Sequence, residues 1–508
     1  MKRPNIVFVF ADQMRASALG CLGIEHVKTS NLDRLAKEGT LFTRAVSNYP
    51  VCCPARATLL TGLHSQNHGL VTNDQQLRTD LPTIAHYLNK AGYRCGYIGK
   101  WHVDCVDRGA YIPLGSRRRG FDDLWAVNNC NHAYMNSYYY LNDCEEPIWI
   151  EGYEPEAQTD IAVDYIEKKT QKNDPFSLFL SWGPPHCPYK MVPQEYLDMY
   201  PPEEIELKPN AVDTADKSII AGYYAHITAL DDCMGRILET IDRCGIRENT
   251  IVICTSDHGD MLFSHNRGWK MKPWAESVHI PFVVRWPHKI PAGRYCTSPI
   301  GLVDVMPTLL GLVGLEVPDH VDGSDLSQLF MGKTSKGPRS QFIYNIIGYK
   351  GWSDGYNEWR GVVTGTHTYV RLRDRAWLLF HDEKDPYQLN NLVDDHHYTG
   401  LKEEMEAELQ KHLDAVNDPF PSSDEAVEKY VVGKVIVSDD KEELISSIVR
   451  EYRTVHHSDP DVDELSAFLP FRPDERRFVR FFENQKIVNG KKGVGRKLFH
   501  RDFFNKTL

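Results

Sequence analysis

Four short apolar runs, spread over the first half of the chain, each lead into a cluster of polar, chemistry-bearing side chains, and this repetition restricts the fold more than any single motif. Ile6-Val7-Phe8-Val9-Phe10 delivers Asp12 and Gln13, and Cys95-Gly96-Tyr97-Ile98 leads to Gly99-Lys100-Trp101-His102. Phe176-Ser177-Leu178-Phe179-Leu180 leads to Trp182-Gly183-Pro184-Pro185-His186, and Thr250-Ile251-Val252-Ile253-Cys254 to Ser256-Asp257-His258-Gly259-Asp260. Continuous apolar runs of strand length fit strands buried on both faces, as in a parallel sheet. In open α/β sheets the ligand crevice lies outside the carboxyl ends of the strands, so four such clusters predict one site. Taken singly, each has a structural reading: Asp12 as a turn former, Lys100 as a solvated charge, His102 and His186 as hydrogen-bonded histidines, Asp257 as a helix cap.

A fifth segment, Cys52-Cys53-Pro54-Ala55-Arg56 followed by Ala57-Thr58-Leu59-Leu60-Thr61-Gly62, adds a reactive centre. Pro54 pre-sets a helical φ and lacks a donor that a first turn leaves unpaired anyway, which predicts Cys52 just before a helix N-terminus. Exposed N–H groups and the helix dipole favour an anion there. An unmodified cysteine in that position would be a competent thiolate; the bland reading is a capped helix with a structural thiol.

Together these segments resemble a type I sulfatase of the alkaline-phosphatase-like superfamily, over roughly residues 4 to 400. The similar stretches are Asn5 to Gln13, Cys52 to Gly62, Gly99 to His102, Pro184 to His186, Ser256 to Gly259 and Lys270 to Ser277. The resemblance implies an α/β fold, a large mostly parallel sheet sandwiched by helices, with a smaller C-terminal antiparallel-sheet subdomain. It implies that Cys52, not Cys53, is oxidised to formylglycine by a separate formylglycine-generating enzyme, the hydrated aldehyde then attacking sulfur. Asp12, Gln13, Asp257, His258 and the modified Cys52 would bind a divalent metal, with Gln13 where many members carry a second Asp and His258 in place of an amide. Ca²⁺ is the first expectation, with Mg²⁺ or Mn²⁺ as alternatives. Arg56, Lys100 and Lys270 would neutralise the sulfate. His186 or Lys270 would protonate the leaving alcohol, and His102 would remove a proton from the modified residue. Lys270 is placed by its offset from Glu276-Ser277, with Lys272 close enough to stand in its place in the substrate site, and Asn73 resembles a further substrate-site residue.

The 508 residues suffice for one large α/β core and an appendage. A net charge of −12 gives no reason to expect a nucleic-acid partner. Met1-Lys2-Arg3-Pro4 runs straight into the first strand, without an apolar targeting stretch or any run able to cross a membrane. A cytoplasmic protein is expected, although an exported chain with its signal trimmed would read the same. The 12 cysteines contain no C-x-x-C pair and read as free thiols of a reducing compartment.

Residues 1 to 340 are expected to form the catalytic domain, including a helix from Ser218 to Cys244, and 341 to 415 a subdomain of short strands. Residues 416 to 508 read as an extension with a helix from Glu442 to Arg453 and a basic end from Lys486, packing on the core or on a neighbouring subunit of a homo-oligomer. The stretch from Val103 to Asp160, with Arg117 to Arg119, Asn128 to His132, Tyr138 to Tyr140, Trp149 and Tyr153, offers aromatic platforms and polar groups suited to a sugar ring. The expected substrate is a small carbohydrate sulfate ester, a mono- or disaccharide. An aryl or alkyl sulfate, a phosphonate monoester or phosphodiester, and a non-catalytic anion-binding role are the alternatives.

Overall fold

The computed structural model describes residues 3–104, 107–172, 174–347 and 358–432. With strands numbered in chain order, the main sheet runs β11 (Arg294–Cys296), β2 (Thr40–Phe42), β10 (Phe282–Arg285), β9 (Thr250–Ser256), β1 (Asn5–Asp12), β8 (Phe176–Pro185), β4 (Arg94–Lys100), β5 (Leu124–Asn128), β6 (Tyr138–Leu141), β7 (Ile148–Trp149). The five strands β9-β1-β8-β4-β5 are mutually parallel, and β10 and β6 flank them antiparallel. The four apolar runs singled out in the sequence are therefore four adjacent strands.

Alternation along β1 shows why a continuous apolar run is needed. Val7, Val9 and Ala11 enter one core with the helices Ser30–Glu38, Glu154–Lys172 and Lys217–Arg243. Ile6, Phe8 and Phe10 enter the other with the helices Cys52–Thr61, Ile84–Lys90 and Val305–Leu312. A strand covered by helices on both faces has no solvent side on which to place polar residues. The long helix expected from Ser218 spans Lys217–Arg243, and Asp216 starts it by accepting from Ser218 N.

Helix Cys52–Thr61 includes Cys52 as its first residue, with Val51 extended before it, so it starts slightly earlier than Pro54 suggested. Proline is tolerated anywhere in a first turn whose N–H groups have no helical partner. Gly62 ends the helix at φ 67°, a left-handed conformation that glycine adopts without penalty.

A small two-stranded pair joins β3 (Ala45–Val46) to β12 (Ile300–Gly301). The antiparallel sheet β13 (Ser340–Asn345), β14 (Trp359–Thr364), β15 (His367–Arg371), β16 (Ala376–His381) follows, backed by the helix Thr399–Ala415. No helix among the described residues is long and apolar enough to cross a membrane. The helix expected at Glu442 to Arg453 and the basic end from Lys486 lie outside the described residues.

Candidate active site

Because β9, β1, β8 and β4 are neighbours pointing the same way, their carboxyl ends set Asp257-His258, Asp12-Gln13, His186 and Lys100-His102 side by side. The helix beginning at Cys52 closes the group. Cys52 Sγ lies 3.2 Å from His258 Nε2, 3.6 Å from Asp12 Oδ1 and 2.8 Å from Lys270 Nζ. His258 Nε2 is 3.6 Å from both Asp12 Oδ1 and Asp257 Oδ1.

Three cations are built into this cluster. Arg56 is buried with its guanidinium committed: Nε donates to Asp257 Oδ2, one terminal nitrogen donates to Asp12 Oδ2 and lies 3.0 Å from Asp257 Oδ2, and the other donates to Lys100 O and Ser181 Oγ. Its geometry orients the two carboxylates. Lys100 Nζ donates to Asp12 Oδ2 at 2.7 Å and to His132 Nε2 at 3.2 Å. Lys270 Nζ donates to Cys52 Sγ and, at 3.1 Å, to Gln13 Oε1. Lys272 is half-buried and its backbone N donates to Ser277 Oγ, so of the two lysines it is Lys270 that reaches Cys52.

Burial alone would push Asp12 up, but Lys100, Lys270 and Arg56 hold it well below the usual carboxylate range. Asp257 is raised, by burial and by the charge of Asp12 beside it. Burial and Asp12 oppose ionisation of Cys52, yet Lys270, Lys100 and His258 bring its thiol well below the ordinary value. Burial, Lys270 and Lys100 push His186 down to about 3, which keeps it neutral. His102 shows the reverse. Although burial opposes its charge, Cys130 and a hydrogen bond from its Nε2 to Asp74 Oδ1 at 3.1 Å raise it to about 10. The sequence reading made His102 a proton acceptor and left His186 and Lys270 as rival donors. Burial and the neighbouring ammoniums thus favour neutral His186, whereas His102 is held above its ordinary value, as is Lys270, by the charges of Cys52 and Asp12 despite its burial.

Gln13 Nε2 donates to Asp260 Oδ2 at 2.6 Å, which Tyr189 also bonds, and Gln13 N donates to Asp257 Oδ1. Asn73 Oδ1 accepts from Cys53 N at 3.1 Å, in the first turn of the Cys52 helix. Tyr153 is buried and bonds His226, which makes it a packing residue and not a sugar platform. Tyr138 and Trp149 face each other on the sheet edge with ring centroids 5.4 Å apart.

Sequence reasoning missed Asp74, which holds His102 and is itself gripped by Arg108 at 2.8 and 2.9 Å. His132, offered by the sequence only within the polar stretch Asn128 to His132, is stacked on His186 with centroids 4.3 Å apart and planes within 9°, a pairing the sequence did not show. Asp74 directly follows Asn73, so its signal was adjacent to a residue already singled out.

Asp12, Cys52, Asp257 and His258 each offer a ligand atom, all within 4.8 Å of one another and all buried. Two hard carboxylates with an imidazole suit a divalent ion, and the repulsion that raises Asp257 next to Asp12 is one that a cation would relieve. The residues present therefore fit a divalent metal.

The sulfatase family model matches residues 4–315, and a model described as the C-terminal part of N-sulphoglucosamine sulphohydrolase matches residues 266–415. An ulvan-active sulfatase of Formosa agariphila is 38% identical over 442 residues, covering 85% of this chain and 86% of the relative. An endo-4-O-sulfatase of Bacteroides thetaiotaomicron is 30% identical over 482 residues, covering 82% of this chain and 93% of the relative. A solved structure from work on the metabolism of multiple glycosaminoglycans by the same bacterium superposes with a TM-score of 0.75 at 29% identity, covering 85% of this chain and 100% of the other. Both the matched lengths and the strand-end site lead to one conclusion: the chain belongs to the sulfatase family, enzymes that hydrolyse sulfate esters.

Proposed function

We propose that the substrate is a small sulfated carbohydrate, cleaved through a formylglycine that a separate formylglycine-generating enzyme makes from Cys52, with Ca²⁺ held by Asp12, Gln13, Asp257, His258 and residue 52. The observation that carries this reading is the position of Cys52. It begins a helix, sits 2.8 Å from the Lys270 ammonium and borders a buried donor set that fits a divalent ion. The carbohydrate assignment draws on relatives named for ulvan and for glycosaminoglycan metabolism.

Sγ of Cys52 stands in for the oxygen of the modified side chain. Metal and aldehyde hydrate, once in place, supply the Lewis acid and the oxygen nucleophile. Lys100 and Lys270 offset the charge that builds on the sulfate oxygens, the preorganised electrostatic effect that is usually the largest catalytic term. Lys270, whose ammonium lies 2.8 Å from Cys52 Sγ, gives its proton to the leaving alcohol, while burial and the Lys270 and Lys100 ammoniums favour a neutral His186. Arg56 fixes the carboxylates, and Asp74, gripped by Arg108, holds the His102 ring in place.

Peptide mass spectrometry around Cys52, on protein co-expressed with a formylglycine-generating enzyme, tests the modification. The mass loss of a thiol turned aldehyde, together with turnover of sulfated monosaccharides, is the expected result. Full turnover with Cys52 unmodified would instead establish thiolate chemistry. A preference for aryl sulfates or phosphonate esters would overturn the substrate assignment.

A further inference from the structure

Six of the fifteen non-glycine residues with positive φ among the described residues lie between Leu262 and Met271, directly after Asp257 and His258. Leu262, Phe263, Trp269 and Met271 carry bulky side chains for which this backbone region is strained. Strain of this kind persists only where surroundings over-determine it, and it gathers at active sites and ligand clamps. The surroundings here are explicit. Met261 N donates to Trp269 O at 2.7 Å, Phe263 N to Arg267 O at 2.8 Å and His265 N to Asn210 O at 2.6 Å. Met271 N donates to Pro50 O, and Trp359 Nε1 to Met271 O at 3.0 Å. These bonds clamp the loop on both sides of Trp269 and Lys270.

Trp269, half-buried, consequently lies with its ring centroid 6.1 Å from that of His186, next in sequence to the lysine that touches Cys52. His186 stacks on His132, which accepts from Lys100. Three rings thus run from Lys100 to Lys270 beside the nucleophile. The ammoniums at either end suit the sulfate, and between them lie three rings, His132 stacked on His186 and Trp269 tilted at 59° to His186.

We propose that Trp269 determines specificity for the alcohol part of the substrate, its indole covering one face of the sugar ring whose sulfate lies over Cys52. This rests on the carbohydrate reading above. The C–H face of a pyranose is apolar and matches an aromatic surface, whereas a short alkyl sulfate has no face to cover. The loop strain is what keeps the indole turned toward His186.

The experiment compares kcat and KM for a sulfated monosaccharide and for a short alkyl sulfate in wild type, Trp269→Gly and Trp269→Phe, with Tm recorded for each. Glycine accepts the positive φ, so Trp269→Gly removes the ring without adding backbone strain. The expected result is a rise of about tenfold or more in KM for the sugar ester with Trp269→Gly, a clearly smaller change for the alkyl ester, and recovery of most of the loss by Trp269→Phe. Desulfated sugar should also inhibit alkyl sulfate hydrolysis by wild type and lose that inhibition in Trp269→Gly. Equal losses on both esters, or no loss on the sugar ester, overturn the proposal while leaving the carbohydrate reading in place. A wild type that cleaves the alkyl ester but no sulfated sugar overturns the carbohydrate reading and this inference with it.

Discussion

Lys270 reaches Cys52 across 218 residues of sequence, its ammonium 2.8 Å from Sγ, and also donates to Gln13 Oε1. One cation thereby touches the reactive residue and the loop after β1. Replacing it with Met removes both the charge beside the nucleophile and the proposed proton donor. Activity on sulfate esters is expected to fall by roughly 10²- to 10³-fold in kcat, the loss typical when one preorganised donor is deleted. Steady-state kinetics at fixed pH checks this, and a variant with kcat within threefold of wild type would exclude Lys270 from the chemistry.

Arg56 makes a different kind of contribution. Its donors hold Asp12, Asp257, Ser181 and the Lys100 carbonyl in a fully buried setting. A lysine cannot reproduce that fork, so Arg56→Lys leaves carboxylates partly unpaired and is expected to cost about 3 kcal/mol of stability. Chemical denaturation measures it. An unchanged midpoint would mean that the carboxylates do not depend on this guanidinium.

Asp74 acts through His102. Converting it to Asn keeps a hydrogen-bonding side chain but removes the charge that favours protonated His102. The expectation is a fall in kcat of about 10²-fold with KM little changed, and a pH–rate profile displaced toward lower pH because His102 would lose its proton more readily. Equal changes in kcat and KM, with the profile unmoved, would assign Asp74 to folding alone.

Metal removal tests the donor cluster independently of substrate. Treatment with a chelator is expected to lower both activity and Tm, and added Ca²⁺ to restore them, since an ion bound only by the folded state stabilises it by mass action. Asp257→Ala should abolish the Tm response to Ca²⁺. A chelator-insensitive Tm would count against a metal at Asp12, Asp257 and His258.

Glu276 offers a pH test away from the reaction. Burial by itself raises its carboxyl, but the Lys208 ammonium and hydrogen bonds from Lys208 and Asn210 bring it down to about 2. Its folded value lies below its ordinary value of 4.5, so the stabilisation is complete above about pH 4.5 and is lost as pH falls toward 2. Lys208, buried near Arg15, sits below its own ordinary value, which offsets part of the gain and leaves about 1–2 kcal/mol. Glu276→Gln should therefore be less stable at neutral pH, with its Tm curve converging on wild type in acid. Parallel curves would exclude the ion pair as the cause.

Much of this architecture was written in local sequence. A strand buried on both faces must be apolar without interruption, and the chain can turn polar only where it emerges, so Ile6 to Phe10 followed by Asp12 already marked both a central strand and its functional end. Cys52, Pro54 and Arg56 were legible for a similar reason: a helix start constrains its own residues. The partnerships were not legible. Asp74 and His102 are 28 residues apart and meet only because β4 ends beside the Cys52 helix, and His132 meets His186 because β5 and β8 flank β4. Sequence offered Lys270 and Lys272 as near equivalents, since an irregular loop has no period from which to read direction. A bond across the loop from Met261 N to Trp269 O, with tertiary bonds from Met271 N to Pro50 O and from Trp359 Nε1 to Met271 O, holds that loop at positive φ, a conformation its own side chains disfavour, and that decides that Lys270 meets Cys52 and Trp269 meets His186.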